Sequence, residues 1–227
     1  MLLLAADTSG KHGSIALARG ELESASSEVE VIEVVPLAGG TFSAQLVPQI
    51  ASLLGKHGFS KNDIGAFAVA SGPGSFTGLR VGLAAIKALA EILGKPIAAV
   101  SLLEAVAVAG GSQGRVVAAL DAGRGEIYCG EYDVAGDSAK LVRERILSKN
   151  EFLAGMKTET VVTPDTALAE AVRVSGVVVK AVEPISAAAI ARVGWQKIQS
   201  GNTVSADQLE ANYIRRLDAE IFSKSSF

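Results

Sequence analysis

The sequence predicts an α/β protein, and three observations carry that expectation. Hydrophobic residues make up 49% of the 227 positions but aromatic ones only 5%, so the core must come from Ala, Val, Leu and Ile, which serve strands and closely packed helices alike. Short continuous apolar runs of strand length recur along the chain beside longer segments with helical spacing. Glycine-rich and polar turns separate them.

Leu2 to Ala6 and Ser14 to Ala18 are short apolar runs, and the turn between them carries Asp7, Thr8, Ser9, Gly10 and Gly13. They predict a hairpin that opens a sheet. Val29, Val31, Val34 and Val35 lie among Glu28, Glu30 and Glu33, which fits a third strand with one wet face. From Thr41, the residues Leu46, Val47, Ile50, Leu53 and Leu54 follow helical spacing, with Thr41 or Ser43 as N-cap and Gly55 as stop; Pro48 means that this helix either kinks or begins there. Ala66 to Ala70 reads as a buried strand, followed by the turn Ser71-Gly72-Pro73-Gly74-Ser75-Phe76-Thr77-Gly78 and a helix from about Leu79 to Leu93 that ends at Gly94 and Pro96. After a strand at Ile97 to Val100 the pattern restarts. A helix near Ser101 to Ala109, strands Val116 to Leu120 and Glu126 to Tyr132, and helices near Thr166 to Arg173 and Ser186 to Gln199 form a second, smaller α/β unit. A soft boundary near residue 100 divides 1–100 from 101–227, with the last helix free to return to the first unit.

The formal charge of -3 is spread over interspersed residues, without a basic block able to neutralise a row of phosphates. This speaks against strong independent binding of nucleic acid. A single cysteine, Cys129, forbids an internal disulfide, and the apolar run from Met1 is interrupted by Asp7 too early for a signal peptide. A soluble, cytoplasmic protein is expected.

Three separated segments resemble the signature of the TsaB family. They are Ala5-Ala6-Asp7-Thr8-Ser9 leading to Ser14-Ile15-Ala16-Leu17, then Ser71 to Gly82 with its glycine-rich turn, then Ala119-Leu120-Asp121-Ala122-Gly123-Arg124-Gly125-Glu126-Ile127-Tyr128. A weaker match lies in Glu210-Ala211-Asn212-Tyr213-Ile214-Arg215. Order and spacing agree across nearly the whole chain. Two positions depart from the family's common pattern, Phe42 where it usually has His and Ala211 where it usually has Pro.

The resemblance implies the actin-like fold of sugar kinases and heat-shock ATPases, two ribonuclease-H-like lobes with mixed sheets flanked by helices. It further implies a non-catalytic partner of TsaD, the related subunit that holds metal and transfers threonylcarbamoyl to adenosine of tRNA, with the ATPase TsaE as third member. Transfer RNA would be met only through that complex, and a homodimer could form when the chain is alone.

The residues admit both chemical and structural readings. Asp7, Thr8 and Ser9 resemble the first phosphate loop of actin-like ATPases, yet the hydroxyls can equally bond the hairpin backbone. Gly72, Gly74 and Ser75 precede a helix whose first turn could meet an anion, or they simply permit a tight connection. Together with Asp121 and Arg124 they form the candidate vestigial phosphate or cleft site, where an Arg–carboxylate bridge could also just brace the turn. An ATPase of this class needs a second-lobe glycine loop, sought around Val162-Thr163-Pro164-Asp165-Thr166, where none stands. The weighed alternative is a stand-alone actin-like small-molecule kinase or ATPase. His12 and His57 are the only histidines and lie far apart, so no metal site and no required cofactor is expected, with at most weak nucleotide binding at the subunit joint.

Leu79, Leu83, Ile86 and Leu89 form one apolar stripe beside the small residues Gly82 and Ala85, and Leu46, Ile50 and Leu53 form another. In an arbitrary α/β protein such stripes face their own sheet. The resemblance implies instead that these residues bind the partner subunit, as half of a four-helix bundle.

Overall fold

The computed structural model describes residues 1–22, 28–38, 40–156 and 159–214. Ten strands form two five-stranded sheets built to one plan. In the first sheet β1 (Leu2–Asp7), β2 (Gly13–Arg19) and β3 (Glu30–Leu37) run antiparallel, while β4 (Ile64–Gly72) and β5 (Ile97–Ser101) run parallel to β1, giving the order β3-β2-β1-β4-β5. Helices α1 (Phe42–Lys56) and α2 (Phe76–Leu93) make the crossovers. The second sheet repeats this with β6 (Gly114–Gly123), β7 (Glu126–Ala135) and β8 (Ser138–Ser148) antiparallel, and β9 (Thr160–Thr163) and β10 (Val179–Ala181) parallel to β6. Here α4 (Lys149–Gly155) and α5 (Thr166–Val174) are the crossovers. Two such meander-plus-crossover lobes are the actin-like architecture.

The third helix of each lobe is exchanged. Helix α3 (Leu102–Ala109) follows the first sheet but packs on β6 and β7 of the second, whereas α6 (Ala187–Gln199) follows the second sheet and packs on β1, β2, β4 and β5 of the first. The sequence of the first sheet prepares for this. Leu2, Leu4, Phe67 and Val69 point to the side of α1 and α2, and Leu3, Ala5, Ala66, Ala68 and Ala70 point to the side of α6. One face is thus wide and the other thin. The alanines let α6 lie close, at Gly194 so close that a Cβ there would fall inside contact distance of the Ala68 methyl.

Several boundaries differ from the sequence expectation. Helix α1 runs unbroken from Phe42 through Pro48, because Pro48 sits on the exposed side, where its missing N–H removes one bond and leaves no buried carbonyl. Helix α2 begins at Phe76, three positions before Leu79, since Ser75 caps it by accepting from the Gly78 N–H. Strand β8 escapes periodicity altogether. Its stretch Lys140-Leu141-Val142-Arg143-Glu144-Arg145 does not alternate, and the strand exists through its long pairing with β7 across the Gly136-Asp137 turn. The helix α4 and the short strands β9 and β10 are likewise set by their neighbours.

Candidate functional site

Strand β1 ends in Asp7, and the polar groups of the turn after it are consumed within the chain. The Asp7 carboxylate accepts from the Ser9 N–H at 2.9 Å and the Ser9 hydroxyl at 2.6 Å. The Thr8 hydroxyl donates to the Gly78 carbonyl at 2.7 Å, and the Ser75 N–H donates to the Ser9 carbonyl at 2.7 Å. All three residues are buried. A Cβ at Gly74 would stand 2.5 Å from the Ser9 carbonyl oxygen, and one at Gly78 or Gly82 would collide with Thr8. The glycines therefore let the start of α2 press onto the β1–β2 turn, and the Thr8 hydroxyl is not presented to a phosphate. Burial raises the Asp7 carboxyl above its ordinary 3.8, only partly countered by the Ser9 bonds.

The repeated topology corrects where the second-lobe loop lies. Strands β6 and β7 correspond to β1 and β2, so the counterpart of Asp7–Gly13 is the turn from Asp121 to Gly125, and the stretch around Val162 to Thr166 corresponds instead to the β4–α2 connection. The two turns share a local bond. Asp121 accepts from the N–H two residues on, Gly123, at 2.9 Å, as Asp7 does from Ser9. Gly123, Arg124 and Gly125 all have positive φ, and Arg124 at 57° is the non-glycine residue described in that region. The second lobe does carry a glycine turn, at a position that only the sheet order identifies.

Both turns open on a cleft of about 1430 Å³ between the lobes. Ser9, Gly10, Lys11, Gly74 and Ser75 line it from the first lobe, and Asp121, Gly123, Arg124 and Tyr128 from the second. Phe42, Phe76, Asn212, Tyr213 and Ile214 contribute further to the wall. Asp7, Thr8 and Gly72 stand behind it. Gly72 is pressed against the returning chain, where a Cβ would be 2.8 Å from the Asn212 carbonyl oxygen. Asn212 belongs to the weaker of the family-like segments, and nothing local in it reveals that residue 212 returns to residue 71. Among the described residues no three His, Cys, Asp or Glu side chains gather as a metal ion requires. Arg215 lies outside the described residues.

The predicted partner-binding set needs a correction about which side of the helices is free. Leu46, Ile50, Leu53, Leu79, Leu83 and Ile86 are buried against the chain's own first sheet, and Gly82 against Thr8. Only Ala85 and Leu89 remain partly exposed. An amphipathic helix on a sheet must turn its large apolar residues inward, and sequence alone does not say whether a second apolar surface exists outside. Here one does. Helices α1 and α2 lie side by side, and their outer faces carry Ala44, Val47, Ala51, Ala84, Ala88 and Ile92, with Val47 52% and Ile92 72% exposed.

Comparison with known proteins places these features. A family model described as TsaD, tRNA N6-adenosine threonylcarbamoyltransferase, matches residues 34–213. The Escherichia coli tRNA threonylcarbamoyladenosine biosynthesis protein TsaB is 31% identical over 228 residues, covering 95% of both chains. The Bacillus subtilis protein of the same name is 36% identical over 133 residues, a match that spans 58% of this chain and 55% of that protein. A Pseudomonas aeruginosa crystal structure, described as an uncharacterized protein with similarity to peptidase YEAZ, superposes with a TM-score of 0.75 at 26% identity, covering 94% of this chain and 99% of that one.

Proposed function

This chain belongs to the TsaB family, and on that premise we propose that it serves tRNA threonylcarbamoyladenosine biosynthesis as an accessory subunit with no turnover of its own. The partner in this reading is a TsaD-like transferase subunit, joined by a TsaE-like ATPase, and tRNA is engaged only by the assembled complex. No cofactor is required. Any nucleotide is held weakly, at the joint between subunits.

The observation that carries the reading is the outer surface of α1 and α2. Small side chains at Ala44, Ala51, Ala84 and Ala88 let two partner helices approach closely, while Val47 and Ile92 supply apolar area that a lone chain leaves in water. The same surface would serve a homodimer when the partner is missing. The internally satisfied Asp7-Thr8-Ser9 turn supports the absence of turnover, since its hydroxyls already have protein acceptors.

Sedimentation of the chain with the TsaD-like subunit of its own organism tests the proposal. Ala88→Glu and Val47→Glu should each weaken association by roughly tenfold or more, because each buries an unpaired carboxylate. Val174→Glu, at a position 79% exposed on α5, should leave it unchanged. Undiminished association of both helix variants removes this surface from the interface. Calorimetry with ATP and magnesium examines the remainder, and tight binding by the isolated chain followed by hydrolysis would identify a stand-alone ATPase instead.

A further inference from the structure

After α6 the described chain runs along the first lobe and by Ile214 reaches the junction with the second. Its first half is fixed to the first lobe. Val204 pairs with Ile97 at the β5 edge through two backbone bonds of 2.8 and 3.0 Å, and Ala206 and Leu209 are buried in the core beneath α2. Its last described residue, Ile214, packs against the cluster of Leu103, Val106 and Tyr132 that belongs to the second sheet and α3.

Asn212 stands at the crossing. Its N–H donates to the Ser71 carbonyl of the first lobe at 2.7 Å, and its side-chain amide donates to the Glu144 carboxylate on β8 of the second lobe at 2.6 Å. The other oxygen of Glu144 accepts from the Ser101 hydroxyl at 2.6 Å and from the Tyr132 hydroxyl. Glu144 is therefore bonded from its own lobe by Tyr132 and from the first lobe by Ser101, the last residue of β5, as well as by Asn212. Next to the crossing, the Tyr213 ring lies 5.5 Å from Phe76, and its hydroxyl accepts from Arg80 Nε at 3.3 Å, both on α2.

We propose that residues 204–214 form an interlobe strap whose latch is Asn212, and that the Ser71–Asn212–Glu144 crossing sets the width of the cleft. Helices α3 and α6, joined by the Glu104–Lys197 ion pair at 3.0 Å, let the lobes rock as packed bodies. The strap lies in the cleft wall itself and stops that motion. Because Tyr213 is seated on the first turn of α2, events on that helix reach the latch without passing through the core.

The test uses the full chain carrying spin labels at Asn62→Cys just ahead of β4 and Asn150→Cys on α4, both exposed, with the buried Cys129 left unlabelled. The unmodified latch should give one narrow distance distribution. Asn212→Ala and Glu144→Gln should each broaden it toward longer distances, with open forms enriched roughly tenfold or more, the factor that accompanies loss of one hydrogen bond to a carboxylate. Glu210→Ala, an exposed neighbour, should leave it narrow. Hydrogen exchange provides a readout independent of the variants: in the unaltered chain the Asn212 amide should be protected like those of β4. Unchanged distances in both variants, with faster exchange confined to 212–214, would mean a local anchor and overturn the proposal. Rapid exchange at Asn212 in the unaltered chain, with β4 protected, overturns it as well.

Discussion

Gly78 shows how a single missing carbon decides a contact. A Cβ there would meet the Thr8 carbonyl, a backbone atom that cannot swing away, so Gly78→Ala should cost about 1–3 kcal/mol in urea unfolding. A cost near zero would mean that the turn yields. Asp7 carries the opposite kind of information. Burial raises its carboxyl above 3.8, so the folded chain keeps this proton to a higher pH than the unfolded chain does. Its favourable contribution is complete below 3.8 and disappears as pH climbs through the folded value. Asp7→Asn keeps an acceptor for Ser9 and cannot ionise, so the wild type should lose stability relative to this variant as pH rises out of the carboxylate range. Parallel stability curves would exclude the effect. Asp7, Thr8 and Ser9 were all legible as a polar turn, whereas the acceptor of Thr8 was not, since Gly78 is seventy positions away.

At the scale of elements, periodicity located helices well and faces badly. The stripe of Leu79, Leu83 and Ile86 is the inner side of α2, and Gly82 lies against Thr8. Gly82→Glu should therefore lower the melting temperature sharply, while Ala88→Glu should leave it within about 0.5 kcal/mol of wild type and act only on association. Equal destabilisation by both would contradict the assignment of faces. Loss of the α2 cap in Ser75→Ala should cost about 1 kcal/mol, measurable by denaturant midpoint. The run Ala66-Phe67-Ala68-Val69-Ala70 alternates in size although it is apolar throughout, and this records two faces covered at different depths. By contrast β8 carries no local record, because its conformation comes from ten paired positions on β7.

For the molecule as a whole, the exchange of α3 and α6 makes the lobes dependent on each other. A fragment of residues 1–100 would hold the first sheet but for Ser101 at the end of β5, and would leave the alanine face of β1 and β4 bare where α6 belongs. It should show poor amide dispersion and bind a hydrophobic dye, while adding residues 101–214 restores cooperative unfolding. A cooperatively folded 1–100 fragment would refute that dependence. By itself the sequence determined the α/β class, most elements of the first lobe and the glycine turn before α2, because these rest on spacing within a short stretch, and the family resemblance, because its segments keep their order along the chain. Only the tertiary structure decided which side of α1 and α2 is free, that Asp121–Gly125 is the counterpart of Asp7–Gly13, and that Asn212 joins Ser71 to Glu144. Each of these depends on contacts between residues far apart in the chain, and such contacts leave no periodic trace in the segments that make them.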